Sequence, residues 1–328
     1  MLARPDEDTL IARYLAPLAS DPAAFNLTDD AACLAVPSGY ELVVTMDALV
    51  AGVHFFADDP PDLIARKALR TNLSDLAAKG ARPRAYLLTL ALPDEWSEAW
   101  LADFVKGLDF DQKHFDIALL GGDTTRSAGP LMLSITALGL VPAGKMVRRK
   151  GAQAGDRVFV TGTIGDAAFG CRLRLQPERF ENLAANHRAH LLQRYLVPEP
   201  RNALAGLLQV HASAAMDVSD GLAGDCAKLC RASGVSAMID IAHVPLSAAA
   251  YTLCGTGTDM LELALSGGDD YEILFTVAPD RCSTLMAEAR AANVAVSEIG
   301  TIVAGNAPPQ FVHEGDVLSF ATTSFSHF

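Results

Sequence analysis

Six short stretches of this 328-residue chain set carboxylates beside glycines, hydroxyls or apolar runs. They are Asp29-Asp30, Thr45-Met46-Asp47, Asn72-Leu73-Ser74-Asp75, Gly121-Gly122-Asp123, Asp217-Val218-Ser219-Asp220-Gly221 and Gly267-Gly268-Asp269-Asp270. A carboxylate leaving an apolar run is costly to bury unless it meets a cation. Magnesium takes oxygen ligands and keeps several waters, so one or two carboxylates suffice per ion. Separated aspartates, with hydroxyls such as Thr45, therefore suit several hard dications that carry a polyphosphate. Two like charges about 4 Å apart at an effective dielectric of ~20 repel by roughly 4 kcal/mol. If these acids converge, bound cations must fill the space between them. For any one Asp a turn or a helix cap is a sufficient account; for six such motifs together, ligation is the better one.

Two other groups suit anions. His54 follows Gly52 in a turn after Asp47, and Arg148, Arg149 and Lys150 form a basic run, where Arg is suited to bidentate phosphate contact. Other phosphate-handling designs are missing. There is no Gly-x-x-x-x-Gly-Lys-Ser/Thr loop, no protein-kinase Gly-rich loop with a Val-Ala-Ile-Lys strand, and no Gly-x-Ser-x-Gly frame around Ser219 or Ser266.

These residues need a scaffold, and the chain is long enough for two domains with large cores, half of its residues being hydrophobic. A net charge of -13 argues against a nucleic-acid binder, which needs a basic face. No apolar stretch reaches the length of a membrane span, and the acidic residues after Met1 do not suit a signal peptide. Six scattered cysteines read as reduced thiols of a cytoplasmic protein.

Apolar spacing predicts a helix over 6–20, strands over 31–36 and 41–47, and a helix over 61–79 that carries Asp75 among apolar neighbours. A strand over 86–92, a helix over 96–107 and a short strand over 117–120 follow, the last breaking at Gly121-Gly122-Asp123. A strand over 131–141 closes a first domain, 1–148. The second, 149–328, has helices near 166–175, 201–211, 221–233 and 281–292. Its strands fall near 157–161, 214–219, 236–241, 272–277 and 297–303. The fold class is α/β (α+β) in two domains.

Taken in order, Asp29-Asp30-Ala31-Ala32, Asp47-Ala48-Leu49-Val50-Ala51-Gly52-Val53-His54-Phe55, Asn72-Leu73-Ser74-Asp75, Gly121-Gly122-Asp123-Thr124-Thr125-Arg126, Asp217-Val218-Ser219-Asp220-Gly221-Leu222 and Leu265-Ser266-Gly267-Gly268-Asp269-Asp270-Tyr271-Glu272 resemble the thiamine-monophosphate kinases. The wider superfamily includes aminoimidazole ribonucleotide synthetase, selenophosphate synthetase and a hydrogenase-maturation protein. The resemblance implies two α/β domains, a homodimer paired through N-terminal-domain strands, and Mg²⁺-dependent transfer of the γ-phosphoryl of ATP to thiamine monophosphate. By match, Asp30, Thr45, Met46, Asp47, Asp75, Asp123, Asp217 and Asp220 hold magnesium. Gly122, Asp123, Arg149 and Ser219 meet ATP, and His54, Asp269 and Phe325 meet thiamine monophosphate.

There are departures from the family pattern. Thr28 replaces a Gly. Met46 replaces a common Thr, which leaves its backbone carbonyl as the ligand. Asp269 replaces a Glu, and Phe325 replaces Trp or Tyr. The competing readings are another ATP-dependent synthetase of the superfamily, or a regulator that binds metal and nucleotide without turnover.

Overall fold

The computed structural model describes residues 5–324, so the expected substrate residue Phe325 lies outside the described residues. The chain forms two compact units. Unit one holds the residues up to Leu76 and Ala81–Gly144; unit two holds Ala77–Gly80 and the chain from Lys145 onward.

Unit one opens with a single turn of helix, α1 (Glu7–Leu10), capped by the Asp6 carboxylate on Thr9 N at 2.8 Å. One helix over 6–20 is expected from the sequence. Instead α1 passes into a wide turn at Ile11–Leu15 and a tight one at Ala16–Leu18, where Pro17 supplies no N–H to extend the ladder. The expected strand over 31–36 does not form. Strand β1 (Tyr40–Val50) is an edge strand, and Ala32 and Leu34 pack instead beside Ala19, Ala24 and Leu120.

Helix α2 (Pro61–Ala78), strand β2 (Arg82–Leu92), helix α3 (Glu98–Phe115), strand β3 (Ala118–Arg126) and strand β4 (Met132–Pro142) follow. The sheet order is β1-β4-β2-β3, antiparallel except for β2 with β3. Leu69, Leu73 and Leu76 of α2 and Phe104 and Leu108 of α3 are buried with Val43, Leu49, Leu88 and Ile135 of the sheet. Each such side chain contributes about 1.5–3 kcal/mol over its exposed state. The guanidinium of Arg70 on α2 forks onto buried Asp111 of α3, with both bonds at 2.7 Å.

Two glycines differ from their expected use. Gly107 does not end α3. It lies where a Cβ would strike the Asp62 backbone, so it lets α2 and α3 approach, and α3 runs on until Asp116 at φ +52°. Gly121-Gly122-Asp123, expected as a turn, stays within β3. Leu88 lies opposite Gly122 and Thr89 opposite Asp123. A Cβ on Gly122 would overlap the Leu88 carbonyl oxygen, which is why only glycine lets the two strands close there.

Unit two comprises β5 (Arg157–Thr161), α4 (Asp166–Leu175), α5 (Ala185–Leu196), α6 (Ala205–His211), β6 (Ala212–Val218), α7 (Leu222–Ser233), β7 (Ser236–Asp240), α8 (Ala248–Cys254), α9 (Thr258–Ser266), β8 (Glu272–Val277), α10 (Cys282–Ala291), β9 (Val296–Val303), β10 (Gln310–His313) and β11 (Asp316–Val317). Its sheet runs β11-β10-β7-β9-β5-β8-β6, with only β7 and β10 parallel. Every residue of β8 is buried, and Phe275 stacks on Phe159 at 5.5 Å. This strand sits inside the sheet between β5 and β6, which is what its apolar centre Ile273-Leu274-Phe275 implies. Both units mix strands and helices, the two-unit α/β (α+β) architecture expected.

Candidate functional site

Side chains alternate along β1. Val43 and Leu49 are buried under the helices, so Thr45 and Asp47 share that face, whereas Val44 and Met46 are 57% and 63% exposed on the other. The Thr45 hydroxyl donates to Asp75 Oδ2 on α2 at 2.5 Å. Asp75 is therefore aimed at β1, which accounts for a carboxylate in an otherwise apolar turn of helix. The Met46 side chain points away from this pair, and only its backbone remains near them.

Beyond β1 the chain turns back on itself. Gly52 N donates to the Phe55 carbonyl at 2.8 Å, and Val50 N donates to His54 Nδ1 at 3.0 Å. Because Nδ1 accepts, the neutral ring carries its proton on Nε2. Buried Phe55 anchors the turn.

Asp30, Gly122 and Asp123 meet at a cavity of about 780 Å³ in unit one, whose wall also includes Asp29, Thr89 and Thr136. Asp29 Oδ1 accepts from Asp30 N at 2.8 Å, which shapes the approach to that cavity. Asp123 lies on β3 and Asp47 on β1, the opposite edges of the sheet. Three strand spacings separate them, about 14 Å. One copy of unit one thus groups Thr45, Asp47 and Asp75 at one edge and Asp30, Gly122 and Asp123 at the other.

In unit two, Asp217 lies one residue before the end of β6, and Ser219 and Asp220 form the turn into α7. Gly221 has φ +111°, and a Cβ there would strike the Ser266 backbone. The turn is bonded to the Gly267-Gly268-Asp269 loop: Asp269 N donates to the Ser219 carbonyl and Tyr271 N to the Val218 carbonyl, both at 2.8 Å. Asp269 and Tyr271 have φ of +65° and +50°, uncommon for side-chain-bearing residues, and the Tyr271 hydroxyl donates to Asp269 Oδ1 at 3.3 Å.

Buried polar and ionic groups hold this strained loop. Asp270 Oδ2 accepts from Gly165 N at 2.8 Å, and burial pushes its pKa well above the usual carboxylate range. Arg201 forks onto Glu272 at 2.7 and 2.5 Å, while Arg194 adds a bond at 2.8 Å.

Arg149 is exposed, with its segment pinned by Ala215 N on the Arg148 carbonyl at 2.9 Å. Ser324, the residue before Phe325, lies so close to Gly224 of α7 that no Cβ fits there.

Sequence reasoning overlooks Asp225 and Lys228. Asp225 is fully buried and accepts from Asp220 N at 2.9 Å, while the Lys228 ammonium contacts both Asp220 and, at 2.8 Å, Asp225. Burial raises the Asp225 pKa. Burial opposes the charge on Lys228, but its hydrogen bonds to the two carboxylates prevail and raise its pKa. The spacing Asp225-x-x-Lys228, one turn into a helix, is the signal that could have marked them.

Among the described residues, no group of three or more His, Cys, Asp or Glu stands ready to hold a metal. The donors are hard oxygens in ones and twos. That suits an ion which keeps its waters and takes its remaining ligands from substrate phosphates.

Residues 28–141 match the family profile of AIR synthase related protein, N-terminal domain, and residues 153–308 match its C-terminal domain. These two domains define the class: a two-domain protein of the AIR synthase related group. Over 319 residues the chain is 45% identical to a thiamine-monophosphate kinase of Caulobacter vibrioides, a match covering 96% of this chain and 89% of that protein. A crystal structure of thiamine-monophosphate kinase from Stenotrophomonas maltophilia is similar with TM-score 0.84 and 41% identity, covering 95% and 98% of the two chains. A structure described as AaThiL complexed with AMPPCP and TMP is similar with TM-score 0.78 and 30% identity, covering 92% and 91%. The chain belongs to the thiamine-monophosphate kinase family.

Proposed function

We propose that this protein transfers the γ-phosphoryl of ATP to the phosphate of thiamine monophosphate, giving thiamine diphosphate and ADP. One observation carries the reading: the likeness to a solved relative that holds AMPPCP and TMP extends over 92% of this chain. The acceptor is a phosphate monoester whose second pKa is about 6, so it is largely dianionic at neutral pH and needs no strong general base. The difficulty is to bring two polyanions into line. Several magnesium ions would supply the charge neutralisation. Asp30, Thr45, Asp47, Asp75, Asp123, Asp217 and Asp220, with the Met46 backbone carbonyl, are the oxygen donors assigned to them. Gly122 and Ser219 offer backbone and hydroxyl contacts to ATP, and Arg149 offers a guanidinium to its phosphates. His54 presents Nε2–H to the thiamine monophosphate, Asp269 presents a carboxylate on its braced loop, and Phe325 is assigned an aromatic face for the heterocycle. Transfer is direct and in line, with no phosphoenzyme.

A homodimer fits the same reading. Leu42, Val44 and Met46 on β1 and Leu87 on β2 are apolar and exposed. A second copy laid over this face would cover them. Since Asp47 and Asp123 lie about 14 Å apart in one copy, a second copy also offers a way to bring acids of the two edges together. The protein is assigned to the cytoplasm: all six cysteines are free, and no described helix is long and apolar enough to cross a membrane.

The test is an ADP-release assay with ATP, Mg²⁺ and thiamine monophosphate, the product being identified by chromatography. Stoichiometric ADP and thiamine diphosphate are expected. ADP formed without thiamine diphosphate, or no turnover by folded protein, overturns the reading.

A further inference from the structure

We propose that Lys228 is the built-in counter-cation of Asp220: it holds that carboxylate while no dication is bound, gives it up when one arrives, and so sets how tightly the position binds metal. The inference rests on the reading of Asp220 as a magnesium ligand. It concerns a residue beyond the Asp217-to-Leu222 motif.

The two contacts of Lys228 differ in kind. Asp225, three residues earlier on α7, has a side chain with no solvent exposure. Stripping the cation from such a carboxylate leaves a buried charge uncompensated, so the Lys228–Asp225 bond is the lasting one. The Asp220 side chain is 37% exposed and that of Lys228 25%. An ion pair open to water is worth little and exchanges readily.

Asp220 also keeps its position when the ammonium leaves, because its backbone N–H is held by Asp225 Oδ2 at 2.9 Å and the neighbouring Ser219 carbonyl by Asp269 N at 2.8 Å. Only the end of the lysine must move, and it remains bonded to Asp225 throughout. This accounts for how one acid of a dication-binding set is tolerated before the dication is present. A positive charge within contact of a ligand competes with the incoming ion, so its removal should tighten binding by roughly tenfold, a value between the water and protein-surface limits of Coulomb attraction.

The test uses Mn²⁺ alone, a spin probe for magnesium-type sites, with the free ion counted by EPR in titrations of the full chain. Lys228→Met should bind the ion at the Asp220 position roughly tenfold more tightly. Asp220→Asn should lose that class of binding, and the double variant should match Asp220→Asn. Lys228→Gln, which keeps a donor for Asp225, should also tighten, and it serves if the Met variant fails to fold. Melting temperature gives a second readout. The neutral variants should melt lower without metal and gain more from added Mg²⁺ than wild type, whereas a purely structural lysine would shift both states equally. Unchanged or weaker Mn²⁺ binding in the Lys228 variants, with Asp220→Asn still losing a site, overturns the proposal and leaves the metal reading standing. Asp220→Asn binding as wild type does would overturn both.

Discussion

The bond from Thr45 to Asp75 puts a hydroxyl and a carboxylate on the helix-covered face of β1 beside Asp47. Asp75→Asn keeps the shape and an oxygen for Thr45 but removes the charge. Turnover should fall by about 10²-fold or more, as when a charge-stabilising group is lost from a transition state, with melting almost unchanged. Steady-state kinetics beside a thermal melt will show it, and wild-type turnover would remove Asp75 from the metal set. At Asp269 the prediction concerns binding. Its carboxylate is held by Tyr271 on a loop of positive φ, so Asp269→Ala should raise KM for thiamine monophosphate while KM for ATP stays put.

Among the elements, β3 is misplaced by the sequence, as are the helix over 6–20 and the strand over 31–36. Glycines and an aspartate predict a turn, yet Gly122 serves close contact between parallel strands. Gly122→Ala must push β2 and β3 apart. It should lower the melting temperature and drop activity together, unlike Asp75→Asn.

The loop before β8 carries a pH dependence. Burial raises the pKa of Asp270 in the folded protein, so the folded state keeps a proton that the unfolded chain releases. The stability this group contributes is present below about pH 3.9, its unfolded value, and is lost as pH rises through the raised folded value. Asp270→Asn, which still offers an oxygen to Gly165 N, should therefore melt higher than wild type at pH 8 and close to it near pH 4. An equal difference at both pH values would contradict this sign.

For the whole molecule, the exposed apolar stripe of Leu42, Val44 and Met46 bears on assembly. A charged residue on it is costly to cover. If the proposed homodimer forms through this face, wild type should give twice 34.7 kDa by light scattering and Val44→Asp a particle near 34.7 kDa. Its secondary structure should be intact, because Val44 faces away from the helices.

The sequence by itself carried the fold class, five of the seven described strands of the second half and the Gly-flanked aspartates on which the proposed site rests; it missed β10 and β11. Apolar runs and Gly-flanked aspartates are local patterns, and local patterns survive without coordinates. It could not tell that 31–36 lacks a strand partner, that Gly107 permits helix contact, or that Gly122 continues a strand, because each depends on what another segment brings alongside. The hold of Lys228 on Asp220 stayed hidden for the same reason: Asp225, one turn away, is visible on the helix, but Asp220 reaches the lysine only when the turn before α7 folds back. Pairing, facing and spacing are properties of segments far apart in the chain, and only the tertiary structure decides them.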